Sequence, residues 1–243
     1  MPHASSAAEI GLFVKIASPQ VIELLGLAGL GFAVVDAEHA PIDISQLDLM
    51  MLAGRAARVP VYVRVPDRQP STLLRILDIG AAGVLVPHVD SAADAAAVVS
   101  ACRYRRGTRG YSGSTRFAGY GTAGMRATLD AAEGVRILCQ IESAEAVAAA
   151  ADIAATPGVD GIFIGRADLA LSMGLESAQA PEVLAAAEQA IRAGLAQGKQ
   201  VGVLVNSAAE RESYERLGAS WFIHGTDQGL LMQAARAILP QQR

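Results

Sequence analysis

The hydrophobic positions of this chain fall into short uninterrupted runs separated by longer stretches with helical spacing. Eight runs read as strands: GLFVKI, FAVVDAEH, PVYVRVP, GVLVPHV, RILCQIES, DGIFIGRAD, QVGVLVNS and SWFIHGTD. Most are continuous rather than alternating, the pattern of parallel strands covered on both faces. The stretches between them are rich in Ala and Leu and open on capping residues: Ser18 before Pro19, then Asp43, Ser91 and Ser207. Gly29, Gly80, Gly198 and Gly218 stand where helices would close. Eight βα units with no compositional break predict one (β/α)8 TIM barrel domain over residues 1–243, an α/β fold, with a doubly wound open sheet as runner-up.

Polar residues gather at the carboxyl ends of the runs, where barrel enzymes carry their chemistry. The second run finishes in Asp36, Glu38 and His39, the third in Arg64, the fourth in His88. The fifth offers Gln140 and Glu142, which share parity along a strand, the sixth Asp168, the seventh Asn206, the eighth His224 and Asp227. An unpaired buried charge costs several kcal/mol, so such a cluster needs partners or a purpose. Glu142 and Asp168 come from adjacent strands and could share a hard divalent cation such as Mg²⁺ or Mn²⁺; each could equally cap the helix that follows. Arg64 reads either as a structural ion pair with Asp36 or Glu38 or as a catalytic group. His39 is either a hydrogen-bonded structural histidine or a base, and its acidic neighbours favour the base.

Composition removes other classes of function. A net charge of −4 with no basic tract argues against nucleic acid. No apolar run approaches the roughly 18 residues of a membrane span, and MPHASSAAEIG has neither part of a signal peptide. Cys102 and Cys139 lack metal or redox spacing, which predicts a reduced, cytoplasmic setting. The segment Arg105–Gly124 is the longest irregular stretch; its GYGTAG matches a dinucleotide fingerprint, but no strand precedes it.

DAEHAP, VRVP, LLRILDIGAAGVLVPHV, RY followed by GTRG, QIES and GVDGIFIGRADLALSMG resemble, in the same order and over nearly the whole chain, the class II pyruvate aldolases. These are the relatives of 4-hydroxy-2-oxoheptanedioate aldolase and 2-dehydro-3-deoxyglucarate aldolase. The resemblance implies metal-dependent, reversible retro-aldol cleavage of a 4-hydroxy-2-oxoacid to pyruvate and an aldehyde through a pyruvate enolate. It implies Glu142 and Asp168 as ligands of a divalent cation (Mg²⁺ or Mn²⁺, with Co²⁺ a further option). Gln140, Ala167 and Asp168 would hold the pyruvate portion. His39 would be the base, acting through a water on the metal, Asp78 would raise its basicity, and Arg64 would bind substrate and stabilise the enolate oxygen. It also implies a homo-oligomer, a hexamer built as a trimer of dimers, with Tyr111 and Arg116 of the long loop near a neighbour's pocket.

Three positions depart from the family pattern: Arg166 for proline, Ala170 for serine and His88 for the common methionine. They bear on substrate choice, as do Leu204 and Tyr111, more than on reaction type. Related chemistry on the same enolate, oxaloacetate decarboxylation or a citrate synthase-like condensation, is the alternative. A Schiff-base aldolase would need Lys15 or Lys199, and a non-catalytic binding barrel would leave the charged mouth without a use.

Overall fold

The computed structural model describes residues 8–240. Eight parallel strands close on themselves in chain order: β1 (Glu9–Val14), β2 (Phe32–Asp36), β3 (Val61–Arg64), β4 (Gly83–Val86), β5 (Arg136–Ile141), β6 (Gly161–Ile164), β7 (Gln200–Val205) and β8 (Trp221–Thr226). Pairing of Glu9, Ile10 and Gly11 with Trp221, Phe222 and Ile223 joins the last strand to the first, so the open doubly wound sheet is excluded. The seam is held at the mouth by Asp227, whose carboxylate accepts the N–H groups of Lys15 and Ile16, each at 2.9 Å.

Every expected strand is present, but the ladders stop before most of the polar residues. β2 ends at Asp36, β5 at Ile141 and β6 at Ile164. Glu38 and His39 therefore stand on a turn beyond β2, Glu142 one residue past β5, and Asp168 in the first turn of the helix that follows β6. Gln140 and Glu142 point the same way, the Gln140 amide donating to the Glu142 carboxylate.

Eleven α-helices occur among the described residues, not eight. Four cover the first strands singly: α1 (Pro19–Leu27), α2 (Ile44–Ala57), α3 (Pro70–Asp78) and α4 (Ala92–Cys102). An extra helix, α5 (Met125–Ala132), precedes β5. The cover after β5 is broken into α6 (Ala144–Ala148) and α7 (Ala150–Ala155). β6 is followed by a short α8 (Arg166–Ser172) and then α9 (Pro181–Ala196); α10 (Ala208–Leu217) and α11 (Asp227–Ile238) complete the chain of elements. Asp43 forms a full capping box with Gln46, and the Ser91 and Ser207 hydroxyls cap their helices. Ser18 does not, because its hydroxyl turns to Gln20, and α1 starts on the fixed φ of Pro19.

Inside the barrel an aromatic layer closes the floor beneath the mouth. Phe32 stacks on Trp221 at 4.1 Å between ring centroids, and Tyr62 and Phe163 meet Trp221 edge-on. Glycine makes the room: a Cβ on Gly11 would lie 2.3 Å from the Phe32 ring. Each buried ring contributes about 1.5–3 kcal/mol. The long loop packs along the outer helices, through Arg109 on Asp78 at the end of the barrel away from the mouth and through Arg116 on Asp48 of α2, both at 2.8 Å. No described helix is long and apolar enough to cross a membrane. The amino-terminal stretch assessed for a targeting sequence lies mostly outside the described residues.

Candidate active site

The site is organised by Asp36, which has no exposed surface. It sits opposite Arg64 in the β2–β3 register, so each strand delivers its last residue to the other. The carboxylate accepts Arg64 Nε at 2.9 Å and Nη2 at 2.7 Å in a two-pronged pair, and Lys15 Nζ lies 3.1 Å away. Its Oδ1 also accepts the N–H groups of Glu38 (3.3 Å) and His39 (3.1 Å), which fixes the turn that carries both. Burial alone would raise the Asp36 carboxyl. Arg64, the His39 N–H and Lys15 outweigh it and hold the group below its ordinary value.

Glu38 joins the two halves of the mouth. Its Oε2 lies 3.3 Å from Arg64 Nε and 3.5 Å from His39 Nε2, and its Oε1 lies 3.4 Å from His88 Nε2. Burial is the main cause of its raised pKa, with the nearby Glu142 charge adding to it. The His39 side chain is half exposed at the rim. His88 has a left-handed backbone (φ 55°), a conformation uncommon for residues other than glycine and typical of functional positions. It brings the His88 N–H to Glu142 Oε1 at 2.7 Å and Nδ1 to the same oxygen at 3.1 Å.

Glu142 is buried and meets no arginine or lysine among the described residues; Gln140 donates to its other oxygen. Gly165, which follows β6, makes this possible. A Cβ there would stand 2.9 Å from Glu142 Cβ and 3.0 Å from Oε2. Gln140 Oε1 is buried without a hydrogen-bond partner. A buried carboxylate lacking a cationic side chain, next to an orphaned amide oxygen and close to the first turn of α8 with Asp168, is an oxygen-rich donor set that fits a hard divalent cation. No group of three or more His, Cys, Asp or Glu side chains able to hold a metal occurs among the described residues, so such an ion would need amide, backbone or solvent oxygens beside the two carboxylates.

Arg64, Gln140, Ala167 and Asp168 line one cavity of about 290 Å³, with Phe13 and Phe163 among its apolar walls. The structure thus brings together His39, Arg64, Gln140, Glu142, Ala167 and Asp168. It does not bring Asp78 to them within the protomer. Asp78 ends α3 at the far end of the barrel, bound to Arg109. Within one chain the acids next to His39 are Asp36 and Glu38.

Arg166 also lines this cavity, with its guanidinium drawn toward α10. Its Nη2 donates to Glu210 Oε1 at 2.5 Å and to the Leu204 carbonyl at 2.9 Å, with the guanidinium over the Tyr214 ring. Lys199 lies at the barrel bottom, donating to the Val159 carbonyl. Lys15 reaches the mouth but is paired with Asp36, unlike the desolvated amine that Schiff-base chemistry uses. The organising roles of Asp36 and of Gly165 were not readable from spacing; the one sequence sign was the glycine ahead of R-A-D-L.

Comparison with known proteins bears on what this mouth serves. The family model described as HpcH/HpaI aldolase/citrate lyase matches residues 9–234. A 5-keto-4-deoxy-D-glucarate aldolase of Klebsiella pneumoniae is 37% identical over 237 residues, covering 97% of this chain and 92% of that protein. Among solved structures, an HpcH/HpaI aldolase/citrate lyase family protein of Burkholderia cenocepacia superposes with a TM-score of 0.90 at 34% identity, over 95% of this chain and 93% of that one. Citrate synthase SbnG superposes with a TM-score of 0.86 at 27% identity, over 95% and 91%. The chain belongs to the HpcH/HpaI aldolase/citrate lyase family.

Proposed function

We propose that this chain is a class II pyruvate aldolase, a carbon–carbon lyase that cleaves a 4-hydroxy-2-oxoacid to pyruvate and an aldehyde. The observation that carries the reading is the cavity in which Arg64, Gln140, Ala167 and Asp168 meet beside buried Glu142. Family membership and the aldolase name of the 37% identical relative support the same reaction.

His39 removes the proton from the C4 hydroxyl. Its backbone is tied to Asp36 and its ring lies beside Glu38, so a base is held at the rim where a substrate hydroxyl arrives. The C3–C4 bond breaks, the aldehyde leaves, the electron pair moves to the keto oxygen as the enolate forms, and return of the proton to C3 completes pyruvate. Arg64 faces that charge. Asp36 grips its Nε and Nη2, which leaves Nη1 without a protein partner among the described residues. Gln140 and the backbone of Ala167 and Asp168 hold the pyruvate carboxylate and keto group. Glu142 and Asp168 would hold a divalent cation, Mg²⁺ or Mn²⁺ with Co²⁺ as an alternative, which supplies Lewis acidity at the keto oxygen when bound.

Asp78 enters this scheme only across an assembly, since its own protomer keeps it at the far end of the barrel. A homo-oligomer, by family resemblance a hexamer, is the proposed working form. Support comes from α11, where Leu231, Met232 and Ile238 are exposed on side chains that line no cavity of the mouth; an apolar helix face of this kind calls for a cover, and a second copy provides one. Two buried free thiols, Cys102 and Cys139, suit a reduced compartment such as the cytoplasm.

The test is pyruvate release from a panel of 4-hydroxy-2-oxoacids, run with EDTA, with added Mg²⁺ or Mn²⁺, and with oxaloacetate in parallel. Cleavage abolished by EDTA and restored by metal is the expected result. Metal-independent cleavage, trapped by borohydride at Lys15, would overturn it. Turnover of oxaloacetate alone would favour the decarboxylase or citrate synthase-like alternative, to which the SbnG likeness lends support.

A further inference from the structure

A second chamber of about 400 Å³ opens at the ends of β7 and β8, against the first turns of α11. Leu204 and Asn206 line both this chamber and the cavity holding Arg64 and Asp168, so the two share a wall of side chains. An aldol substrate needs such a space, because its chain continues from C4 away from the pyruvate portion.

The polar groups facing the chamber come from Asn206, His224, Thr226 and Gln233, and no lysine, arginine, aspartate or glutamate lines it among the described residues. The cation beside the shared wall is Arg166, which lines the Arg64 cavity rather than this chamber. Arg166 is neutralised by Glu210, and Glu210 Oε2 accepts the Asn206 N–H at 2.8 Å. The ion pair that withdraws the charge therefore also fixes the turn presenting Asn206. The Asn206 carboxamide and the His224 ring hydrogen-bond to no protein group among the described residues, although Gly225, with φ 71°, turns the chain just beside them. These are free donors and acceptors in a space without fixed charge.

We propose that this chamber takes the aldehyde half of the substrate, and that Asn206 and His224 read hydroxyl groups on it. The chain would then prefer uncharged, hydroxylated aldehydes to alkyl or carboxylated ones. The proposal rests on the aldolase reading of the neighbouring cavity. A site built to hydrogen-bond hydroxyls discriminates against tails that leave its groups unpaired, and a carboxylate entering it would meet no counter-charge.

The experiment uses the full chain loaded with Mn²⁺ and three 4-hydroxy-2-oxoacids identical through C4 but ending in a hydroxylated, an alkyl or a carboxylated tail. Oxaloacetate, which has no aldehyde half, is run alongside. The hydroxylated substrate should show the highest kcat/KM. Asn206→Ala and His224→Ala should each lower it about tenfold, the scale of one lost hydrogen bond, against less than about twofold for the alkyl tail. Asn206→Ser, which keeps a short hydrogen-bonding group, should restore part of the preference. Best turnover of the carboxylated tail, or an equal fall for all tails in both variants, would overturn the chamber assignment while leaving the aldolase intact. Turnover of oxaloacetate with none of the three tails cleaved would overturn both.

Discussion

Asp36→Asn removes one charge from the centre of the mouth while keeping the side chain's size. Five donors converge on Asp36: Arg64 Nε and Nη2, Lys15 Nζ, and the N–H groups of Glu38 and His39. The amide retains one acceptor and turns a donor toward the others. Removing one partner of a buried ion pair costs about 3–5 kcal/mol. The low end applies here, because Arg64 keeps Glu38 at 3.3 Å and the Lys15 side chain is 22% exposed, within reach of water. A loss of about 3 kcal/mol moves the urea midpoint down by roughly 1 M for a chain whose slope is about 3 kcal/mol/M. Trp221, the single tryptophan and buried against Phe32, reports unfolding by fluorescence at fixed protomer concentration.

The pH dependence has a definite sign. Asp36 is held below its ordinary value of 3.8, so the stability it contributes is complete above that value and is lost as pH falls through the lower folded-state value. The gap between wild type and Asp36→Asn should be flat from about pH 7 to about pH 5 and close in stronger acid. An unchanged midpoint at neutral pH, or a gap that widens on acidification, would refute the assignment of Asp36 as the paired centre of the site.

Gly165→Ala places a Cβ 3.0 Å from Glu142 Oε2 and 3.1 Å from Gln140 Nε2, so Mn²⁺ affinity by calorimetry should fall at least about tenfold with the circular dichroism spectrum retained. Equal affinity would mean Glu142 is not a ligand. His88→Ala removes the Nδ1 contact to Glu142 but keeps the main-chain N–H, and should weaken Mn²⁺ about tenfold by the same measurement; no change would leave His88 without a part in holding that carboxylate. Burial pushes the thiols of Cys102 and Cys139 up to about 12, so neither should react with a disulfide reagent at pH 8 until the chain unfolds. Rapid labelling of the native protein would contradict the packing around β5 and α4.

The barrel was legible because the pattern that encodes it is local. Eight runs such as FAVVD and GIFI must be strands covered on both faces, and a parallel strand needs a crossover that only a helix of the observed spacing supplies. The mouth was legible too, since charges gathered at the ends of buried strands must be paired or put to use. Spacing could not say that Asp36 rather than Asp78 stands beside His39, because that depends on which end of the barrel a helix terminus reaches. Arg166 gave no direction in the sequence; its partner, Glu210, lies 44 residues away and meets it only after β7 is laid beside β6. His88 showed its identity but not its left-handed backbone, which lets one residue aim both its N–H and its ring at Glu142. Hydrophobic periodicity is set within a few residues and survives in the sequence; the pairing of long polar side chains is set by neighbours distant along the chain, and only the closed barrel decides it.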